Sequence, residues 1–138
     1  MNATPEELPS GPAVAVLVAH GSRNPDSADA HEDLVREVGA ASGLPTRVAY
    51  LEMCEPSIPR AIDAAVGDGA STVLVVPCFL HPGNHVQVDI PAVVEAARVR
   101  HPGTAIVLTE HLGASEGMVA LLAAIVGEAA PPAPRLSR

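Results

Sequence analysis

Four short aliphatic runs, each followed by a polar loop and a helical stretch, leave this chain few folds to choose from. Ala13–Ala19 (AVAVLVA) carries a β-branched residue at every second position. Arg47–Leu51 (RVAYL), Thr72–Phe79 (TVLVVPCF) and Thr104–Thr109 (TAIVLT) are three further short apolar runs. Apolar runs of that length, bounded by turn residues, predict buried strands. Pro25 to about Ser42 places apolar residues at helical spacing and stops at Gly43. Pro56–Val66 enters a helix through Pro-Ser and leaves it at Gly67 and Gly69. Helices are also expected over about Val88–Val99 and about Ser115–Glu128. A β-α unit repeated four times predicts an α/β fold, a parallel four-stranded sheet with helices on both faces.

The 138 residues suit one domain, placed at 13–128, with a loose Pro- and Gly-containing N-terminus at 1–12 and a flexible Pro-rich tail at 129–138. Hydrophobic residues make up 48%, enough for a core, but aromatics only 1%, so Val, Leu, Ile and Ala must fill it. The scarcity of aromatics argues against base-stacking nucleic-acid readers. A formal charge of -8 repels nucleic acid and anionic lipid, so neither is expected as a partner. No apolar run reaches the ~18 residues of a membrane span. The first twelve residues lack the basic-then-apolar order of a secretory signal, so a cytoplasmic location is expected. The two cysteines, Cys54 and Cys78, are too few and too far apart for a CxxC zinc site or a disulfide scaffold. Cys78 reads as core within the third strand. Cys54 lies in a strand-end loop, where contact with a metal and simple packing both remain open.

Ligands of open α/β sheets gather beyond the carboxyl ends of the strands. That rule selects four loops: His20–Arg23, Glu52–Ser57, Leu80–His85 and Glu110–Gly113. Four of the six histidines, His20, His81, His85 and His111, fall in them. Neutral imidazole is the commonest transition-metal ligand and a general base near neutral pH. His20 follows an apolar strand directly, and His85 follows the turn sequence Pro82-Gly83-Asn84. On position alone each is either a ligand or a hydrogen-bonded residue that orders its loop. His81 and His85 have HxxxH spacing, but Pro82-Gly83 speaks against a helix that would pair them. His31, in a polar helical stretch, reads as a surface residue. His101, before Pro102-Gly103, reads as a cation favoured at a helix end. Glu52 and Glu55 read as solvated loop carboxylates. There is no GxSxG elbow, Walker loop or GxGxxG.

Taken together, the motifs His20-Gly21-Ser22-Arg23, Glu55-Pro56-Ser57-Ile58, Pro77-Cys78-Phe79-Leu80-His81-Pro82-Gly83-Asn84-His85 and Asp89-Ile90-Pro91 resemble the short sirohydrochlorin chelatases, CbiX-type class II chelatases. The resemblance spans about residues 13–128. It implies a chelatase-like fold, one half of a two-lobed class II chelatase. It implies insertion of Co²⁺ or Fe²⁺ into sirohydrochlorin, for cobalamin or sirohaem, with no organic cofactor. By that match His20 is a metal ligand and the proton acceptor, and His85 is the second ligand. Glu55 and the loop Leu80, His81, Pro82, Gly83, Asn84 and His85 contact the macrocycle. The family also implies a homodimer.

Sirohydrochlorin carries eight carboxylates while this chain is acidic, so Arg23, Arg47 and Arg60 are the candidates to meet them. His81-Pro82 and Cys54 depart from the expected family pattern, which leaves the choice among Co²⁺, Fe²⁺ and Ni²⁺ open. So are the roles of His81, His111 and Cys54. The competing reading is a metal-binding protein or metallochaperone that delivers Ni²⁺, Co²⁺ or Zn²⁺ without turnover.

Overall fold

The computed structural model describes residues 4–133. The outermost parts of the two segments expected to be loose, residues 1–3 and 134–138, lie outside the described residues. The strands are β1 (Ala13–Ala19), β2 (Thr46–Tyr50), β3 (Thr72–Pro77) and β4 (Ala105–Leu108), all parallel in the order β2-β1-β3-β4. The main helices are α1 (Pro25–Ser42), α2 (Ile58–Gly67), α3 (Ile90–Arg100) and α4 (Glu116–Ala129). β1 and α1 have the bounds expected from sequence, while the other elements differ by one or two residues at one or both ends.

β1 is central and buried on both faces, as a parallel strand between helical layers must be. Its even residues Val14, Val16 and Val18 pack with Val73 and Val75, under Ile58, Ile62 and Ala65 of α2 and Ile90 and Val94 of α3. Its odd residues Ala15 and Leu17 face Val35 of α1, with Leu74, Val76 and Cys78 beside them. The side-chain period of two thus divides one strand between two cores. Burial pushes the Cys78 thiol pKa up, in keeping with a packing role, although Cys78 sits just past β3 rather than inside it.

Two expectations fail. His31 is not a surface residue: it is 8% exposed, and its Nε2 lies 3.0 Å from the carbonyl oxygen of Leu17. It shares the inward face of α1 with Val35, four residues on, and the bond to β1 makes burial of a polar ring tolerable. His85 is also not a loop residue. It opens a π-helical turn, His85–Asp89, that runs directly into α3. Pro91 explains the turn: its missing N–H and its ring disfavour ordinary helical bonding one turn back. The chain widens there, and the Ile90 N–H donates to the His85 carbonyl five residues earlier.

His101 terminates α3 as expected and meets Asp63 of α2 at 2.6 Å. Arg100 adds a second contact to the same carboxylate at 2.9 Å. The last helix forms where expected but buries none of its residues. Val119, Leu121, Leu122, Ile125 and Val126 are each more than half exposed.

Candidate functional site

Hydrogen bonding continues past the strand ends and draws the loops together. The Leu51 N–H donates to Ala19 O (2.9 Å), the Glu52 N–H to His20 O (3.0 Å) and the Cys78 N–H to Val18 O (2.8 Å). Gly21 then turns with φ +100, and a Cβ there would lie 1.7 Å from the Glu52 carbonyl oxygen. Only glycine permits that approach, which keeps the first two loops in register. The loops after β3 and β4 are joined in the same way. Gly113 donates to Phe79 O at 3.0 Å, and a Cβ on Gly113 would lie 1.7 Å from Leu80 O.

These approaches bring His20 and His85 together. Their ring centroids are 5.1 Å apart with planes at 66°, and Phe79 lies 6.3 Å from His85. Both imidazoles are 43% exposed, so the pair opens to solvent at the rim of the sheet. His20 Nδ1 lies 3.1 Å from Gly21 O, a carbonyl that can only accept, so the hydrogen belongs on Nδ1. Its Nε2 then faces Glu52 Oε1 at 3.3 Å, and a proton or a cation is needed between a ring lone pair and a carboxylate. His85 Nδ1 lies 2.8 Å from Asp89 Oδ2, which fixes that hydrogen on Nδ1 and leaves Nε2 with a lone pair when the ring is neutral.

Glu52 is the site residue that sequence reasoning missed. It reads as a solvated carboxylate, yet the continued β1–β2 ladder sets it beside His20. The signal lay in the topology: the residue just past a strand paired with β1 falls next to the residue just past β1.

Among the described residues, the other nominated residues make no hydrogen bond or ring contact with the pair. Glu55 is exposed and accepts a bond from the Ser57 N–H at 3.3 Å. Leu80 is 56% exposed. His81, Pro82, Gly83 and Asn84 form an exposed turn beside the pair, closed by Gly83 N–H to His81 O (3.0 Å). Among the described residues no hydrogen bond or ring contact joins His81 or His111 to His20 or His85. The Cys54 thiol donates to Ser22 O at 3.1 Å, tying the first two loops together. Of the three arginines, Arg47 lies near the amino end of β2, paired with Asp68. It lines an open cleft of about 250 Å³ with Arg60. Arg23 shares the first loop with His20 and is exposed.

The arrangement can hold an ion between two imidazoles or pass a proton between His20 and Glu52. Among the described residues no three His, Cys, Asp or Glu side chains converge into a preformed metal cage. The two imidazoles stand open to solvent, each 43% exposed.

Fold and site define the class: a small parallel α/β protein with a two-histidine centre at the carboxyl rim of its sheet. The family model of CbiX matches residues 14–129. The chain is 36% identical over 99 residues to a chloroplastic sirohydrochlorin ferrochelatase of Arabidopsis thaliana, covering 71% of this chain and 44% of that protein. It is 39% identical over 80 residues to a sirohydrochlorin cobaltochelatase of Methanococcus maripaludis, covering 57% and 56%. It thus spans about half the length of these relatives.

Among solved structures, a CbiX protein of Marinobacter aquaeolei superposes with a TM-score of 0.74 at 31% identity, covering 85% of this chain and 96% of that one. The sirohydrochlorin chelatase SirB of Bacillus subtilis subspecies spizizenii, in complex with cobalt, superposes with a TM-score of 0.76 at 26% identity, covering 87% and 52%. The chain belongs to the CbiX family.

Proposed function

We propose that this protein is a sirohydrochlorin chelatase that inserts Co²⁺ or Fe²⁺ into the tetrapyrrole. The observation that carries the reading is the pairing of His20 and His85 at an open rim. An ion about 2.1 Å from one nitrogen of each ring, at a tetrahedral angle, would set the centroids about 5 Å apart, against 5.1 Å observed. Both rings already hold Nδ1 against an acceptor, the arrangement that orients ligating histidines. Relatives named as cobaltochelatase and ferrochelatase support the substrate class.

Insertion replaces two pyrrole N–H protons by one divalent ion, so the site must give up a cation and take up or pass on two protons. His20 and His85 hold the ion through Nε2 and leave its other positions to water and then to ring nitrogens. As the ion leaves, His20 Nε2 regains its lone pair and accepts the two pyrrole protons one after the other, each stabilised by Glu52 at 3.3 Å and passed to solvent before the next arrives. By the family match, Glu55 and the turn from Leu80 to His85 contact the macrocycle. Arg23, in the same loop as His20, is the arginine placed to meet a substrate carboxylate.

The protein acts as a homodimer, and the support is α4, an apolar helix with no buried side chain. It is cytoplasmic on this reading and uses no organic cofactor. Nickel would bind a two-imidazole site more tightly than cobalt or iron, so affinity alone does not name the physiological ion.

Metal delivery without turnover is the second reading. The net charge of -8, with Arg47 engaged by Asp68, favours it because the ring carries many carboxylates. Anaerobic incubation with sirohydrochlorin and Co²⁺ or Fe²⁺, followed by absorbance, separates the two. Accelerated insertion that is lost in His20→Ala is expected; no acceleration with any metal overturns the chelatase reading.

A further inference from the structure

The π-turn at the start of α3 places Asp89 and His85 on one side of the helix, with Nδ1 and Oδ2 2.8 Å apart. We infer that Asp89 is a positioning residue for the metal centre: it holds the hydrogen of His85 on Nδ1 and leaves the Nε2 lone pair free for an ion. The inference rests on the reading of His85 as a ligand. Three observations carry it together.

The first is chemical. A carboxylate accepts but does not donate, so its bond to Nδ1 selects one of two neutral tautomers. The ring nitrogen left free is Nε2. Without Asp89 the two tautomers compete, and the ring rotates about a side chain that is 43% exposed. Ligating histidines are held by such partners, whose loss costs about 10–100-fold in metal affinity.

The second is the backbone that delivers Asp89. Pro91 forces the wider turn, and the Ile90 N–H reaches back to the His85 carbonyl. The same distortion that accommodates Pro91 therefore sets the spacing of ligand and carboxylate. Ile90, next to Asp89, is fully buried and anchors this end of α3 on the sheet.

The third is the division of labour between two acidic residues. Glu52 faces the Nε2 of His20, where an ion or proton must sit. Asp89 faces the Nδ1 of His85, which leaves Nε2 as the nitrogen available for that task. One carboxylate lies at the ion and the other behind a ligand.

The test uses the full chain with Asp89→Asn, Asp89→Ala and Asp89→Glu, beside His85→Ala. Asn keeps the shape of Asp but can donate through its amide to Nδ1 and stabilise the other tautomer. The first readout needs no metal: nitrogen NMR of the imidazoles reports which atom of His85 bears hydrogen. Wild type and Asp89→Glu should show Nδ1–H, and Asn and Ala should lose that preference. The second readout is Co²⁺ titration by visible absorbance. Asn and Ala should weaken binding about 10–100-fold, and Glu should recover most of it.

Asp89→Asn and Asp89→Ala that keep Nδ1–H and bind Co²⁺ as wild type does would overturn the inference. If wild type and His85→Ala bind Co²⁺ equally, the ligand reading of His85 fails instead, and the tautomer result still decides what Asp89 does to the ring.

Discussion

Gly21→Ala should disrupt fold and site together. At φ +100 an alanine occupies a backbone region that costs ~1–3 kcal/mol. Its Cβ would also lie 1.7 Å from the Glu52 carbonyl oxygen, where real Cβ atoms stay beyond 3.0 Å. The obstacle is backbone held by the Glu52 N–H to His20 O bond, so the loops after β1 and β2 must part by over an ångström. Loss of unfolded-state freedom returns ~0.4–1 kcal/mol. The net loss should therefore be at least ~2 kcal/mol, at the upper end of ordinary substitutions. Gly43→Ala is the control. Gly43 also has positive φ, but nothing lies within 4 Å of its Cβ position, so only ~1–2 kcal/mol of conformational cost applies. Urea denaturation measures both variants, and Co²⁺ titration should show weaker binding in Gly21→Ala alone. Equal stability losses in the two variants, with unchanged Co²⁺ affinity, would refute the close-approach argument.

Three further outcomes follow from particular side chains. Thr72 is 2% exposed, and among the described residues its hydroxyl has no hydrogen-bond partner, so Thr72→Val should stabilise the protein by ~1 kcal/mol and raise Tm by a few degrees; a fall in Tm would show the hydroxyl to be satisfied. Asp63 has its pKa lowered, chiefly by the hydrogen bond from His101 and further by Arg100. A depressed carboxylate contributes stability that is present above its unfolded pKa and lost as pH falls through the folded one, so Asp63→Asn should flatten the stability profile below the ordinary carboxylate range of about 3.9. Identical acid limbs for variant and wild type would remove that role. Ile125→Glu on α4 should shift sedimentation from dimer toward monomer while circular dichroism stays unchanged; an unaltered dimer would locate the interface elsewhere.

The sheet and its helices were legible because parallel strands buried on both faces need continuous aliphatic runs, and this chain has four of them. The bounds of β1 and α1 could be read directly, helped by Pro25 at one end of the helix and Gly43 at the other. His20 and His85 were nominated by position at strand ends, and the fold brings their rings within 5.1 Å. Other features depend on contacts between distant segments. His31 looks solvated within its helix, and only the Leu17 carbonyl opposite makes its burial tolerable. Glu52 gains its neighbour through a ladder that outlasts the strands. The turn at His85 is governed by Pro91, six residues downstream, so a reading of Pro82-Gly83-Asn84 alone ends the loop at His85, where the helix has already begun. The exposure of α4 ran against its own apolar composition, which by itself predicts burial.

Diffraction from crystals soaked in Co²⁺, recorded at the cobalt absorption edge, tests the central claim most directly. The account predicts one anomalous peak between His20 and His85, about 2.1 Å from a ring nitrogen of each, with Glu52 beside it. A peak held by His81 or His111 instead, or no peak at the His20–His85 pair at saturating Co²⁺, would contradict it.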